Sequence, residues 1–409
     1  MPGAPDGLPM TPPLTLVQGA RLVLPDRLEA TDLLIANGRI AALGDAASRA
    51  ATLDLTEVHD ATGLTVSPGL IDAHMHFLGG GGGDGFGSRI PELSLTDLTL
   101  NGITTAVGAP GIDMVSRTAD GLLAKARGLT EEGVTAFMYV GGFHRPLRTL
   151  TGSPWRDAYI VPEVIGVKVA VGESRAPGIS NDELVDMARE LLWVGRATGR
   201  GGILHIHLGL DPEGKRQLLA IASRIPDPSR VVITHANYSA DTLAAAIELA
   251  SVGLRLDVTT MLAPERGVTG AVQPAEAVST LLDAGIDASQ ISMSTDGNGS
   301  APKFDEGGEW APYRTHMDSL LTEVRNLAGA GDLAVALRLV TSNPASSLRL
   351  QAKGQIAVGA DADLVALDAN LEVVHTYARG RRLVTNGEPT VPGRFDNKVR
   401  PRARGKEAD

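Results

Sequence analysis

The chain contains no cysteine, and this absence excludes disulfide bonds and thiolate metal sites. Any metal ion must therefore be held by histidine, by carboxylate or by a less usual ligand. No apolar run reaches the 18 residues or so that a membrane-spanning helix needs. The N-terminal stretch MPGAPDGLPMTPP also lacks the basic and apolar regions of a signal peptide. These absences predict a soluble, cytoplasmic protein with no membrane partner.

A surplus of basic residues is also missing. Lysine and arginine total 37 against 48 aspartates and glutamates, which gives a formal net charge of −11. This balance argues against nucleic-acid binding but leaves a local pocket free to bind a small molecule. Aromatic residues make up only 3% of the chain, whereas glycines number 48. This composition is typical of an α/β protein with many tight strand–helix turns, and the length suits one large barrel plus a smaller domain.

Both ends of the chain have the pattern of short strands broken by turns. Residues 14–66 contain no long helical pattern, and the pair Asn37-Gly38 between apolar runs predicts a hairpin. The strand pattern returns in GQIAVGADADLVALD and LEVVHTYARGRRLVTNGE. Because the C-terminal segment cannot bury its apolar face alone, we predict one small β-sandwich domain built from residues 1–66 and 350–393.

The central part of the chain, residues 67–349, alternates short apolar runs with amphipathic stretches. The candidate strands are Leu70–His74, Thr104–Val107, Thr135–Tyr139, Val164–Val169, Ile203–His207, Val231–Thr234, Arg255–Val258 and Ile291–Ser294. The helical patterns include Met114–Glu132, Asn181–Thr198, Asp241–Ser251 and Pro274–Ala284. Eight strands alternating with helices predict an α/β fold, a (β/α)8 TIM-type barrel. An open doubly wound sheet is the alternative. We expect residues 1–13 and the tail 394–409 to be disordered.

The segment VSPGLIDAHMHFLGGGGGD is the first with the composition of a metal site. In a strand, alternate side chains share a face, so His74 and His76 point the same way. Neutral imidazole binds zinc, copper, iron and nickel, so the pair does not identify the metal. The glycine run that follows suits a loop whose backbone approaches a ligand closely. Taken alone, a histidine pair on a strand is more often structural.

Barrel enzymes place their chemistry at the C-terminal ends of the strands. Polar residues that suit such a site fall at or near several of these predicted ends: His74, His76, Lys168, His205, His207, His235 and Asp296. Most of them have an ordinary structural explanation when taken singly. Lys168 within IGVKVAVG is the exception, because an interior lysine is costly unless it is paired or loses its charge. Their coincidence at the strand ends predicts a single polar cluster.

Several segments resemble the amidohydrolase superfamily and, within it, the isoaspartyl dipeptidases, also called β-aspartyl peptidases. They are PGLIDAHMHFLGGGG, NGITTAVGAPGID, LLAKARGLTEEG, RTLTGS, IGVKVAV, THAN, STDGNGS and GADADLVALD. The resemblance extends from about Leu14 to Gly393. It implies a zinc-dependent hydrolase, a homo-oligomeric metallopeptidase that cleaves the isopeptide bond of isoaspartyl (β-aspartyl) dipeptides.

The resemblance also implies a set of six metal ligands. His74, His76 and Asp296 would bind one divalent ion, His207 and His235 a second, and Lys168, carboxylated by CO2, would bridge the two zinc ions. A hydroxide held between the ions would attack the substrate. Asp296 would take its proton and pass it to the leaving amine. His205 matches no ligand of the family.

Substrate contacts follow from the same resemblance, which assigns them to Gly81, Asp84, Arg175 and Ser300. Asp84 stands in place of a glutamate, and two other departures from the family pattern matter more, because Phe143 replaces a tyrosine and Tyr238 replaces an arginine. The loss of a charged hydrogen bond costs roughly 1.5–3 kcal/mol of binding. These departures favour an alternative, a related amidohydrolase acting on another amide, a cyclic amide or a lactone. A third hypothesis is a non-catalytic metal-binding or assembly protein on the same scaffold.

Overall fold

The computed structural model describes residues 13–304 and 310–396. The segments that we expected to be disordered fall almost wholly outside these ranges. The strands are β1 (Leu14–Val23), β2 (Leu28–Ala36), β3 (Arg39–Leu43), β4 (Thr56–Asp60), β5 (Thr65–Pro68), β6 (Leu70–Met75), β7 (Ile103–Gly108), β8 (Thr135–Gly142), β9 (Val164–Val171), β10 (Ile203–Leu208), β11 (Val231–Thr234), β12 (Arg255–Thr259), β13 (Ile291–Ser294), β14 (Ser300–Phe304), β15 (Trp310–Arg314), β16 (Leu364–Leu367), β17 (Val373–Ala378), β18 (Arg381–Thr385) and β19 (Glu388–Pro389).

The helices lie mainly in the central part of the chain. They are α1 (Asp45–Ser48), α2 (Leu95–Thr99), α3 (Ala119–Glu132), α4 (Pro154–Ile160), α5 (Asn181–Thr198), α6 (Pro212–Ala222), α7 (Ala240–Ser251), α8 (Pro274–Asp283), α9 (Ser319–Ala330), α10 (Leu333–Arg338) and α11 (Ser342–Ser347). Among the described residues, no helix is long and apolar enough to cross a membrane.

One sheet of nine strands joins the two ends of the chain. Its order is β19-β18-β17-β16-β5-β1-β2-β3, with β4 paired to β1. The junction is the antiparallel pair of β5 and β16, in which Ser67 lies opposite Val365. Asn37 and Gly38 form the β2–β3 hairpin turn at φ of 50° and 75°, the left-handed conformation that this turn requires. The small β domain predicted from both chain ends is therefore present, with its strands in one continuous mixed sheet.

The second large sheet is a closed barrel. Strands β6 to β13 pair in sequence order, and every pair is parallel. The circle closes where Met75 bridges to Gly297 and the amide of His76 donates to the Gly297 carbonyl at 2.8 Å. This closure confirms the TIM-type barrel and excludes the open doubly wound sheet. The eight predicted strands all occur, some of them one to three residues longer than expected.

Helix α5 shows how local sequence fixes the outer layer of the barrel. Ser180 and Glu183 form a capping box at its start, and Gly199 ends it in the left-handed conformation. The bounds agree with the prediction. Helix α3 instead begins at Ala119 rather than at Met114, because the hydroxyl of Thr118 caps the amide of Gly121.

The two ends of the barrel interior differ in polarity. Near the N-terminal ends of the strands, Ile71, Ile203 and Val232 belong to an apolar cluster that also contains Leu348, just after α11. The histidines lie toward the opposite ends of the strands and are buried. This arrangement is typical of barrel enzymes, in which the N-terminal face contributes to stability and the C-terminal face carries the active site.

Candidate metal centre

Three side chains predicted to bind one ion lie together at the C-terminal rim. His74 and His76 come from the end of β6, and Asp296 follows β13. The Asp296 Oδ1 atom lies 3.0 Å from Nε2 of His76 and 3.5 Å from Nε2 of His74. One ligand atom from each residue lies within 4.8 Å of the others. Because both histidines are buried and the carboxylate is only 18% exposed, this trio is suited to a divalent cation.

Lys168 lies beside the trio, on β9. Its side chain is 1% exposed, and its Nζ lies 2.8 Å from Nε2 of His74. The same nitrogen stands 5.5 Å from the ring centroid of Phe143. Burial lowers the pKa of Lys168 to about 8, although the Asp296 charge works in the opposite direction. The lysine is therefore closer to its neutral form than an exposed lysine would be.

His207 and His235 lie on the neighbouring strand ends, with ring centroids 4.5 Å apart. His207 directs Nε2 to Oε2 of Glu173 at 3.0 Å, and His235 directs Nδ1 to the Thr259 hydroxyl at 2.8 Å. These contacts leave Nδ1 of His207 and Nε2 of His235 for a ligand. Burial lowers the pKa of both histidines, so each carries the lone pair that metal binding requires.

The backbone at the rim adopts a left-handed conformation that residues other than glycine rarely take. His235, Asp296 and Asn298 have φ of 66°, 53° and 57°. Each such residue costs on the order of 1–3 kcal/mol and persists only where its surroundings hold it. The side-chain amide of Asn298 helps to hold this backbone in place, because it donates to the carbonyls of His76 and Pro91 at 3.0 and 2.9 Å. Left-handed backbone thus directs two of the predicted ligands.

A second layer of polar side chains supports His74 from below. Its Nδ1 lies 3.1 Å from Nε2 of His205 and 3.3 Å from the Thr234 hydroxyl. Thr234 in turn donates to Asp257 at 2.8 Å, and the ring of His205 stacks on Tyr139 at 4.7 Å. His205, which the sequence analysis left out of the ligand set, therefore contacts the predicted ligand His74. The sequence analysis did not identify Thr234 or Asp257, although an aspartate within the apolar strand RLDVT was a signal.

Above the cluster lies a pocket of about 330 Å³. All four predicted substrate contacts line it: Gly81, Asp84, Arg175 and Ser300. Phe143 and Tyr238 line the same pocket, so both departures from the family pattern face the substrate space. Asp84 is exposed. At Gly81, φ is +74° and an added Cβ would approach the Ser88 carbonyl oxygen at 2.1 Å, so only glycine fits.

Glu173 is a buried acidic residue that the sequence analysis missed. Its side chain is only 7% exposed, and its two oxygens accept from Nε and Nη2 of Arg175, both at 2.9 Å. One of the same oxygens faces His207. Burial opposes the charge, but the hydrogen bonds from Arg175 and His207 hold the pKa of Glu173 well below its usual range. The only signal in the sequence was an acid two residues before Arg175.

The fold and the site together define a barrel enzyme with a centre suited to metal ions. The pattern of the amidohydrolase family matches residues 65–388, and the chain belongs to this family of hydrolases. The β-aspartyl dipeptidase of Fervidobacterium islandicum AW-1, solved in complex with the β-Asp-Leu dipeptide, is similar in structure. It is 29% identical, with a TM-score of 0.83, over 92% of this chain and 98% of that one. The resemblance to the amidohydrolase superfamily and its isoaspartyl dipeptidases, predicted from sequence motifs, is thus confirmed.

Other similar proteins have other substrates in their names. The L-hydantoinase of Arthrobacter aurescens shares the fold, with a TM-score of 0.68 at 17% identity over 93% of this chain and 98% of that one. A dihydroorotase of Ligilactobacillus salivarius is 30% identical over 33% of this chain, and an enamidase of Eubacterium barkeri is 26% identical over 43%. These matches span only 30% and 39% of the two relatives' length.

Proposed function

We propose that this protein is a dinuclear-metal amidohydrolase that cleaves the isopeptide bond of β-aspartyl dipeptides. The observation that carries the proposal is the convergence of six side chains at one rim: His74, His76, Lys168, His207, His235 and Asp296. The likeness to a solved β-aspartyl dipeptidase, over most of both chains, supports the choice of substrate.

The donor set fits two divalent ions, and we propose zinc. Nε2 of His74 and of His76, with the Asp296 carboxylate, would hold the first. Nδ1 of His207 and Nε2 of His235 would hold the second, because their other nitrogens already contact protein oxygens. When bound, the ions would polarise the scissile carbonyl and lower the pKa of water.

Lys168 would join the two halves of the centre as a carbamate. The ammonium form would first lose one proton, and the neutral amine would then add to CO2, forming a nitrogen–carbon bond and releasing a second proton, so a buried cation becomes an anion. The burial of Lys168 and its lowered pKa favour the neutral amine that this step needs. The new carboxylate would lie beside His74 and help to balance the charge of two dications.

Asp296 would carry the proton of the reaction. Its Oδ1 atom lies 3.0 Å from Nε2 of His76, the nitrogen proposed for the ion, and contact with this ring and nearby positive charge keep the pKa of the carboxyl below its usual range despite burial. An ionised carboxylate in the pocket can accept the proton of the attacking hydroxide. It then returns the proton to the amine nitrogen, which leaves as a neutral amine.

The substrate would lie in the pocket above these groups. We assign Arg175 and Ser300 to the polar ends of the dipeptide, and Gly81 with Asp84 to its ammonium group; all four residues line the pocket. Assembly as a homo-oligomer and a cytoplasmic location remain predictions. Light scattering of the purified protein tests the first.

The direct test is hydrolysis of β-Asp-Leu by the purified protein, followed as release of free leucine. We expect turnover that a chelator removes and added zinc restores, with α-Asp-Leu as the control for isopeptide selectivity. No leucine at any metal loading would reject this substrate.

A second candidate is hydrolysis of a different amide, a cyclic amide or a lactone. Phe143, which has no hydroxyl, packs 5.0 Å from the His207 ring, and Tyr238 lines the pocket where the family pattern has a cation. A panel of N-acyl amino acids, hydantoins and lactones decides between the two. Activity confined to β-aspartyl dipeptides excludes this candidate.

A further inference from the structure

Glu173 contacts both halves of the site described above. It follows β9, the strand that carries Lys168, and its carboxylate is buried. One oxygen accepts from the Arg175 backbone amide at 3.0 Å and from Nε at 2.9 Å. The other accepts from Nη2 of Arg175 at 2.9 Å and lies 3.0 Å from Nε2 of His207.

The contact with His207 fixes one property of that ring. A carboxylate only accepts hydrogen bonds, so the facing Nε2 must carry the ring proton. The lone pair is then on Nδ1, the nitrogen that faces away from Glu173. A histidine ligand held by an outer carboxylate is oriented and made a better donor, and loss of such a partner usually weakens metal binding 10–100-fold.

The contact with Arg175 fixes the orientation of the guanidinium group. Its Nε and Nη2 edge is occupied by Glu173, which leaves the Nη1 end for a ligand in the pocket. Planar guanidinium binds carboxylate through paired, directional hydrogen bonds. The acid therefore sets the direction from which Arg175 meets a substrate carboxylate.

We propose that Glu173 is a positioning residue that couples metal retention at His207 to recognition of the substrate carboxylate by Arg175. The inference rests on the proposed function for the ligand role of His207 and for a substrate that carries a carboxylate. It adds a residue whose single side chain supports two separate parts of the site.

Two substitutions separate the two contacts. In Glu173→Gln, the side chain keeps one acceptor oxygen and gains an amide donor, so one N–H of Arg175 or the Nε2 proton of His207 loses its acceptor, and the ring can instead accept from the amide with its proton on Nδ1. In Glu173→Asp, the side chain is one methylene shorter. Arg175 lies two residues away on the same loop and is 52% exposed, so it can move to keep its contact with the shorter side chain. His207 on β10 cannot move in this way and loses its contact.

The first measurements need no turnover. In the metal-free protein, nitrogen NMR should find His207 with its proton on Nε2, and both variants should shift this ring toward a mixture of tautomers. Elemental analysis after graded chelation should show the second zinc ion bound about 10–100-fold more weakly in both variants. Glu213→Gln is the matched control, because Glu213 pairs with Arg216 on the exposed surface.

The second measurement compares β-Asp-Leu with two amides: β-aspartyl-leucinamide, which lacks the leucine carboxylate, and the α-amide of β-Asp-Leu, which lacks the free aspartyl carboxylate. We expect the wild type and Glu173→Asp to prefer the acid over one of the amides and Glu173→Gln to lose most of that preference. A wild type that binds two ions but cleaves none of these compounds refutes the proposed substrate, and the tautomer and metal data still decide the role of Glu173. Variants that only melt earlier, with tautomer and zinc affinity unchanged, overturn the proposal.

Discussion

At the residue scale, the sharpest question concerns Lys168. We predict that Lys168→Ala loses the bridging carboxylate and therefore most of its bound metal and activity. Added acetate or propionate should restore part of both, because a small carboxylate can occupy the vacated space. Elemental analysis and the leucine-release assay check this prediction, with the partly exposed Lys215→Ala as control. Unchanged metal content in Lys168→Ala would count against a bridging role.

Asp296 gives a second residue-scale prediction. Asp296→Asn keeps the size of the side chain but removes the proton acceptor, so we expect kcat to fall roughly 10²–10⁴-fold. Steady-state kinetics at saturating zinc check this, since the amide is also a weaker ligand. Loss of turnover would dispose of the non-catalytic hypothesis for this scaffold, whereas full activity would remove Asp296 from the reaction.

The parts of the site that sequence could predict were those with a fixed motif or an unusual environment. His74, His76 and Lys168 belong to patterns that stand out on a strand, and the structure places them together. Glu173 and Asp257 could not be found in this way, because the contacts with His207, Thr234 and Ser294 that give them a place in the site come from other strands of the barrel. In the sequence, GESR has the composition of an ordinary surface loop. Only the structure shows that Arg175 and His207 contact its buried acid.

At the scale of elements, strand β12 carries a buried acid with a testable pH effect. Asp257 accepts hydrogen bonds from Ser294 at 2.6 Å and Thr234 at 2.8 Å, yet burial raises its pKa to about 7. The unfolded value is about 3.9. The folded state therefore binds the proton more tightly, and the stability from this group is full below about pH 4 and lost as pH rises through about 7.

We predict that Asp257→Asn removes this pH dependence. Relative to the wild type, the variant should gain stability between pH 4 and pH 7, by an amount on the order of 4 kcal/mol. The hydroxyl partners can donate to or accept from the amide, so the fold should persist. Urea unfolding across this range checks the prediction, with the exposed Asp241→Asn as control. Parallel curves for Asp257→Asn and the wild type would contradict it.

The elements themselves were largely predictable, because each local signal agreed with the fold. The cap at Ser180 and the glycine at Gly199 set both ends of α5 correctly. The start of α3 was missed, because the apolar pattern extends back to Met114 while the capping hydroxyl belongs to Thr118. A capping contact depends on one side-chain rotamer, and periodicity does not report it.

At the scale of the whole molecule, Lys353 joins the barrel to the β domain. Its Nζ lies 2.7 Å from the Thr135 hydroxyl of β8, 3.0 Å from Asp361 and in contact with Asp363. We predict that Lys353→Ala costs about 3–5 kcal/mol, because it leaves a buried carboxylate unpaired. Thermal and urea unfolding check this against Lys215→Ala, which should cost at most about 1 kcal/mol. Equal losses would refute the argument.

The sheet shared by the two chain ends also has a consequence for synthesis on the ribosome. Strand β5 emerges about 300 residues before β16, its partner. At 5–20 residues per second, the unpaired edge waits on the order of 15–60 s. During that time an apolar surface that includes Val66 lacks its cover from Leu364 and Tyr377. Until β16 has been made, this edge presents unpaired amide and carbonyl groups of the kind that can pair with a neighbouring chain.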